Sequence, residues 1–245
     1  MPAEGTVAQA PQAPIWGELR YSAELARLLS DGALRSPRRR EDAAPVLLIP
    51  GFMAGDSSLL ILREWLRRRG HRVASARMVA NIDCAGRILD RLTARVRELA
   101  DEGGRVVVIG QSRGGELARA VAVREPDSVE LLVTLGSPVL DPLAVAPSVL
   151  RTVRMLARLG DLRVPGLFSS RCREGECCAA FWEDMTAPLR EDVRAVAVHS
   201  RTDAIVDWQA CLDPHGTQVE IDSSHCGMSV HPEVYRVLDD VLELR

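Results

Sequence analysis

Short, wholly apolar runs alternate with amphipathic stretches along most of the chain. Val46 to Ile49 is a four-residue apolar run that stops at Pro50-Gly51, the pattern of a strand buried on both faces. Ser57 to Arg69 then has helical periodicity, with Asp56 or Ser57 as cap and Gly70 as terminator. Val73–Met78 predicts a strand, Ile82–Ala100 a long amphipathic helix and Arg105–Ile109 the clearest strand of all. A helix over Arg113–Arg124 follows at once, then a strand over Val129–Leu135. Val193–His199 and Gln218–Ile221 complete the strands, and Glu233–Leu244 is a closing helix. Strands alternating with helices of this length form βαβ units, so the fold class is α/β, with a mostly parallel central sheet and helices on both faces.

Two stretches stand apart from this alternation. Residues 1–44 read as an N-terminal extension with one helix, Ile15–Leu29, whose apolar positions are Leu19, Leu25, Leu28 and Leu29. Met1 to Pro14 reads as disordered, and RSPRRRED at Arg35–Asp42 as a solvated charged linker in which Arg38, Arg39 and Arg40 are available to phosphate. The main domain is then 45–245. Within it, 139–191 is too long for a simple crossover and reads as a lid or cap insertion. Its helix near Ser148–Leu159 sets Val149, Val153, Leu156 and Ala157 against Arg151, Arg154 and Arg158, which fits a lid or an ordinary surface helix.

Composition narrows the function. With 47% hydrophobic and 27% charged residues in 245, the chain buries a core without needing metals or disulfides. A net charge of −3 argues against a general nucleic-acid field, and 4% aromatics is too few for a stacking platform. No basic and apolar leader and no bilayer-length apolar run is visible, so the expectation is a cytoplasmic protein without a transmembrane segment. The six cysteines are then expected as thiols.

Chemistry concentrates at Gly110-Gln111-Ser112-Arg113-Gly114. The strand RVVVIG ends there and the helix RGGELARAVA begins, so the G-x-S-x-G pattern falls on a sharp strand-to-helix turn. Such a turn strains the serine backbone and exposes its hydroxyl, while small residues at Gly110 and Gly114 let strand and helix pass closely. A nucleotide-binding turn would instead require G-x-G-x-x-G and a downstream acidic residue, and neither is present. A serine nucleophile needs a base and an orienting acid. Among the five histidines, His225 lies in DSSHCGM between the last strand and the last helix. His71 reads as surface, His199 as a strand end, His215 as part of a Pro-Gly turn and His231 as a helix cap. Asp203, in HSRTDAIV, is the first choice of acid and Asp207 the alternate, with Asp213 and Asp222 as turn formers. The oxyanion donors expected are the backbone N–H of Arg113 and that of Phe52 in IPGFMAGD, with Met53 in reserve.

The segments VLLIPGF, GQSRGG, TLGSP, D-x-I-V at Asp203–Val206 and SHCG together resemble serine hydrolases of the α/β-hydrolase fold, particularly bacterial lipase/esterase-like members. The resemblance spans about Ala44 to Leu242, and the order Ser112, Asp203, His225 is that of the fold. It departs from many lipases in having Pro50, not histidine, before Gly51. What it implies is cleavage of carboxylic esters of acyl or lipid-like substrates through an acyl-enzyme, with no cofactor. A thioesterase or acyltransferase on the same machinery is one alternative, and a non-catalytic binding protein with a hydrolase fold is another.

Cys172, Cys177 and Cys178 cluster in SSRCREGECCAAFW. A fourth zinc ligand at usual spacing is missing and the adjacent pair is awkward for one ion, so free thiols and no metal are expected. A bridge from Cys172 to either neighbour is the alternative in an exported protein.

Overall fold

The computed structural model describes residues 11, 13–35, 42–174 and 178–243. Six strands form one sheet, β1 Val46–Ile49, β2 Val73–Ser75, β3 Val106–Gln111, β4 Val129–Leu135, β5 Arg194–His199 and β6 Thr217–Glu220. Their order is β2-β1-β3-β4-β5-β6, and every pairing is parallel.

The period-two alternation of a strand sorts these apolar runs onto two faces. Leu47, Ile49, Val106, Val108 and Leu132 face a layer made by α4 Ala85–Gly103, α5 Arg113–Arg124 and α8 Ala179–Thr186. Val46, Leu48, Val107, Ile109, Leu131 and Val133 face the opposite layer, made by α1 Tyr21–Ser30, the short α2 Gly32–Arg35, α3 Leu60–Arg68 and α9 Pro232–Glu243. There Trp65 meets Tyr235 edge-on, with ring centroids 5.0 Å apart. Burying each large apolar side chain in these layers contributes roughly 1.5–3 kcal/mol before conformational entropy is counted.

Three local differences from the sequence pattern have physical causes. The helix expected over Ile15–Leu29 is a 3-10 turn at Ile15–Arg20 followed by α1. Leu19 and Leu29 are exposed, and the inward face of α1 carries Glu24 beside Leu28. The carboxylates of Glu18 and Glu24 accept backbone N–H groups of a distant loop, and those contacts set the rotation of the segment. The strand at Val73 stops at Ser75, because Arg77 takes a φ of 56° and Met78 turns to exchange hydrogen bonds with Asp56. His71 is buried, not at the surface, where its Nδ1 meets the Ala44 carbonyl at 2.8 Å.

The stretch between β4 and β5 holds α6 Pro147–Asp161, α7 Arg171–Glu174 and α8. Phe181 and Met185 of α8 belong to the core, so this part of the stretch is a wall of the domain. Arg119 of α5 ties it down, donating to the Met185 and Ala187 carbonyls and pairing with buried Asp213 at 2.7 Å. The root of α6 is stitched to the loop after β5 through Ala146 N to Ile205 O and Asp207 N to Ala144 O. Arg38–Arg40, Cys177 and most of residues 1–14 lie outside the described residues.

Candidate active site

β3 delivers Ser112 to the edge of the sheet, and α5 begins with the next residue. Ser112 has φ 53° and ψ −128°, a region that disfavours a side chain and is tolerated where the surroundings enforce it. The enforcement is visible on both sides. A Cβ on Gly110 would run into the backbone of Gly114, and one on Gly114 would run into the Ile49 and Pro50 carbonyls. The two glycines therefore let β3, α5 and the end of β1 approach closely enough to hold the turn. Ser112 N donates to the Leu135 carbonyl at 2.8 Å, which ties the turn to β4.

The acid and the imidazole reach the same place from β5 and β6. Asp203 is buried beyond β5, and its Oδ1 accepts the N–H groups of Ile205 and Val206, both at 2.8 Å. Its other oxygen, Oδ2, lies 2.6 Å from Nδ1 of buried His225. Burial alone would lower the pKa of His225. The charge of Asp203 and its hydrogen bond outweigh that penalty, so the pKa is raised above the ordinary imidazole value. Asp207 is engaged elsewhere, capping a 3-10 turn at Trp208–Cys211 by accepting from Gln209 N at 3.1 Å. Asp213 closes a turn through Gly216 N and also pairs with Arg119, while Asp222 bonds Arg20 and Thr202. His231 sits at the start of α9, where its carbonyl and ring accept from Val234 N and Glu233 N.

Second contacts fix the imidazole loop. Gly136, at φ 55°, makes room beside the ring, since a Cβ there would stand 3.2 Å from His225 Nδ1. Gln111 Nε2 donates to the His225 carbonyl at 3.1 Å, linking the loop to the residue before Ser112. Glu18 accepts the N–H groups of His225 and Cys226, both at 2.9 Å. Glu24 accepts Ser224 N at 2.8 Å and Ser224 Oγ at 2.6 Å. Sequence reasoning missed both glutamates. Glu24 carries a weak signal, an acid four residues before Leu28 on the face that turns inward, and Glu18 carries none.

On the opposite wall, Phe52 bridges Asn81, and Met53 has φ 61°. Met53 N donates to the Asn81 carbonyl at 3.3 Å, so the reserve oxyanion donor is already engaged. Arg113 sends its guanidinium to the Asn81 and Asp83 carbonyls and lies over the Phe168 ring at 5.4 Å.

Ser112, His225, Phe52 and Arg113 all open onto one cavity of about 700 Å³. Val149, Val153 and Ala157 of α6 line it together with Phe168, Phe181 and Trp182, so its walls are mainly apolar. Glu116 also lines it. Burial, partly offset by Arg113, pushes this carboxyl up to about 7. Among the described residues no helix is long and apolar enough to cross a membrane.

No family model matches the chain. No curated protein matches it either. Solved structures do. A Bacillus licheniformis lipase, BlEst2 in mature form, superposes with a TM-score of 0.62 at 15% identity, over 84% of this chain and 96% of that one. A monoglyceride lipase from Saccharomyces cerevisiae, solved with a substrate analog, gives 0.58 at 12% identity, over 84% and 89%. The thioesterase domain of the curacin biosynthetic pathway gives 0.53 at 14% identity, over 83% and 92%. At these identities the likeness establishes the fold, which is the α/β-hydrolase fold.

Proposed function

We propose that the chain is a serine hydrolase that cleaves carboxylic esters of acyl or lipid-like substrates by way of an acyl-enzyme. The observation that carries this reading is the buried 2.6 Å contact between His225 and Asp203, opening onto the same cavity as the strained Ser112 turn. In this reading Ser112 Oγ attacks the ester carbonyl while His225 Nε2 takes its proton, and Asp203 holds the imidazole by Nδ1 and stabilises the imidazolium. The N–H groups of Phe52 and Arg113 receive the oxyanion, Arg113 from the first turn of α5 where the helix dipole assists. His225 then returns the proton to the leaving alkoxide, and water repeats the cycle to release the acid. The mainly apolar cavity, lined on one side by α6, suits an acyl chain, with α6 as its lid.

Labelling with a fluorophosphonate probe, located by mass spectrometry, tests the nucleophile, and a series of 4-nitrophenyl esters sizes the acyl pocket. A covalent adduct on Ser112 and an optimum in chain length are expected. A folded protein that gives no adduct and no turnover would instead be a binding protein with a hydrolase fold. The likeness to a thioesterase domain favours a second reading, thioester cleavage on the same residues. Comparing kcat/KM for an acyl thioester and the oxygen ester of the same acid decides between them.

A further inference from the structure

Among the described residues, the fold joins two of the cysteines that the sequence groups, Cys172 and Cys178, to a third from far earlier in the chain, Cys84. Cys84 stands at the start of α4, 94 residues from Cys178 in sequence, and its sulfur lies 3.6 Å from that of Cys178. Cys172 completes a triangle in which all three sulfurs lie within 4.8 Å of one another. We propose that Cys84, Cys172 and Cys178 form a three-thiolate site for a thiophilic divalent cation of the zinc class, set in the wall of the substrate cavity.

The spacing fits the ion. Zinc–sulfur bonds of about 2.3 Å in a tetrahedron place sulfurs about 3.8 Å apart, so the cluster needs to close by roughly an ångström or less. Each sulfur comes from a separately anchored element. Cys84 is the N-cap residue of the 19-residue α4, Cys178 is that of α8, and Cys172 lies in α7, on the cavity side of that wall. Cys84 and Cys178 are fully buried. Cys172 Sγ accepts from Ser169 N at 3.5 Å and contacts Ser169 Oγ at 3.7 Å, the kind of donor contact that steadies a metal-bound thiolate. On binding one divalent ion the three thiols release three protons to solvent, which leaves a centre of charge −1. Arg87 and Arg113 stand beside the cluster; with Asp83 paired to Arg87, they leave one net positive charge to offset it. Cys172 and Cys178 both line the cavity, so the fourth coordination position faces it and takes a water. The ion would fasten the stretch after β4 to the N-terminus of α4.

The test uses the full chain, reduced and freed of metal, titrated with Zn(II) by calorimetry and with Cd(II) by ultraviolet absorption, where cadmium–thiolate charge transfer counts sulfur ligands. One ion per chain and a charge-transfer band of at least three thiolates are expected. Cys172→Ser and Cys178→Ser should each weaken zinc binding by at least about 100-fold, more than an outer contact contributes. Cys226→Ser, on the imidazole loop, should leave zinc binding unchanged. Circular dichroism of each variant distinguishes a lost ligand from a lost fold, and Cys172, half-exposed, is the variant expected to fold normally. The proposal is overturned if the reduced, folded protein takes up no ion, if Cys172→Ser keeps full affinity, or if mass spectrometry finds Cys84 and Cys178 joined as a disulfide after purification without oxidant. These readouts do not depend on ester cleavage.

Discussion

The two sides of the site are built in opposite ways. The Ser112 side is local: residues 110–114 are one short run, and the strain at Ser112 is enforced by glycine backbones and the end of β1. The imidazole side is assembled over long range. Asp203 reaches His225 from 22 residues away, and the loop's backbone is held by Glu18 and Glu24, about 200 residues upstream. Local construction resists everything short of a clash, whereas long-range construction depends on distant side chains whose loss leaves the sheet intact.

Substitutions separate these two modes. Ser112→Ala should abolish ester turnover, by on the order of 10⁵-fold or more in kcat, with an unchanged unfolding midpoint. A residual rate near that of the wild type would remove Ser112 from the chemistry. Asp203→Asn should cost about 10⁴-fold in kcat, while Asp207→Asn stays within a few-fold, and the reverse order would identify the wrong acid. The pH profile follows from the same pair. A general base with a raised pKa is protonated up to a higher pH, so the acid limb of kcat/KM should have its midpoint above the ordinary imidazole value of 6.5. Asn at 203 removes the charge that raises it and should move that limb to lower pH.

The local side breaks by steric means. Gly114→Ala places a methyl against the Ile49 and Pro50 carbonyls and should lower stability by about 3 kcal/mol, read by denaturant unfolding. The long-range side yields more gently. In Glu18→Gln an amide N–H replaces one of the two oxygens that accept from His225 and Cys226. Expected is a fall of about tenfold in kcat at nearly constant KM, with the fold retained. If Glu18→Gln were silent, the extension would be packing alone.

This contrast also explains what could be read from the sequence. β4 and α5 fall on the expected residues, because apolar runs and helical periodicity follow from local burial. The turn at Ser112 was legible because Gly110 and Gly114 flank the serine two residues to either side. Glu18 and Glu24 were not, because their partners in the imidazole loop have no pattern that points back to the first helix. Leu19 was misleading for the same reason: the segment is rotated by its carboxylates, leaving this leucine 81% exposed. Helix α8 carries too few residues to display a period, and Cys84 gives no sign of Cys178 until the layers are packed.

The contact between residues 18–24 and 224–226 sets an order of events in time. The Ser112 turn is synthesised before the sixth strand, yet His225, the proposed base, and the groups that brace it come together only after that strand has been made and the first helix has docked. A nascent chain therefore carries the Ser112 turn before its proposed base is in place. On the proposed mechanism, a chain that stops before residue 226 has made the Ser112 turn but lacks the braced imidazole.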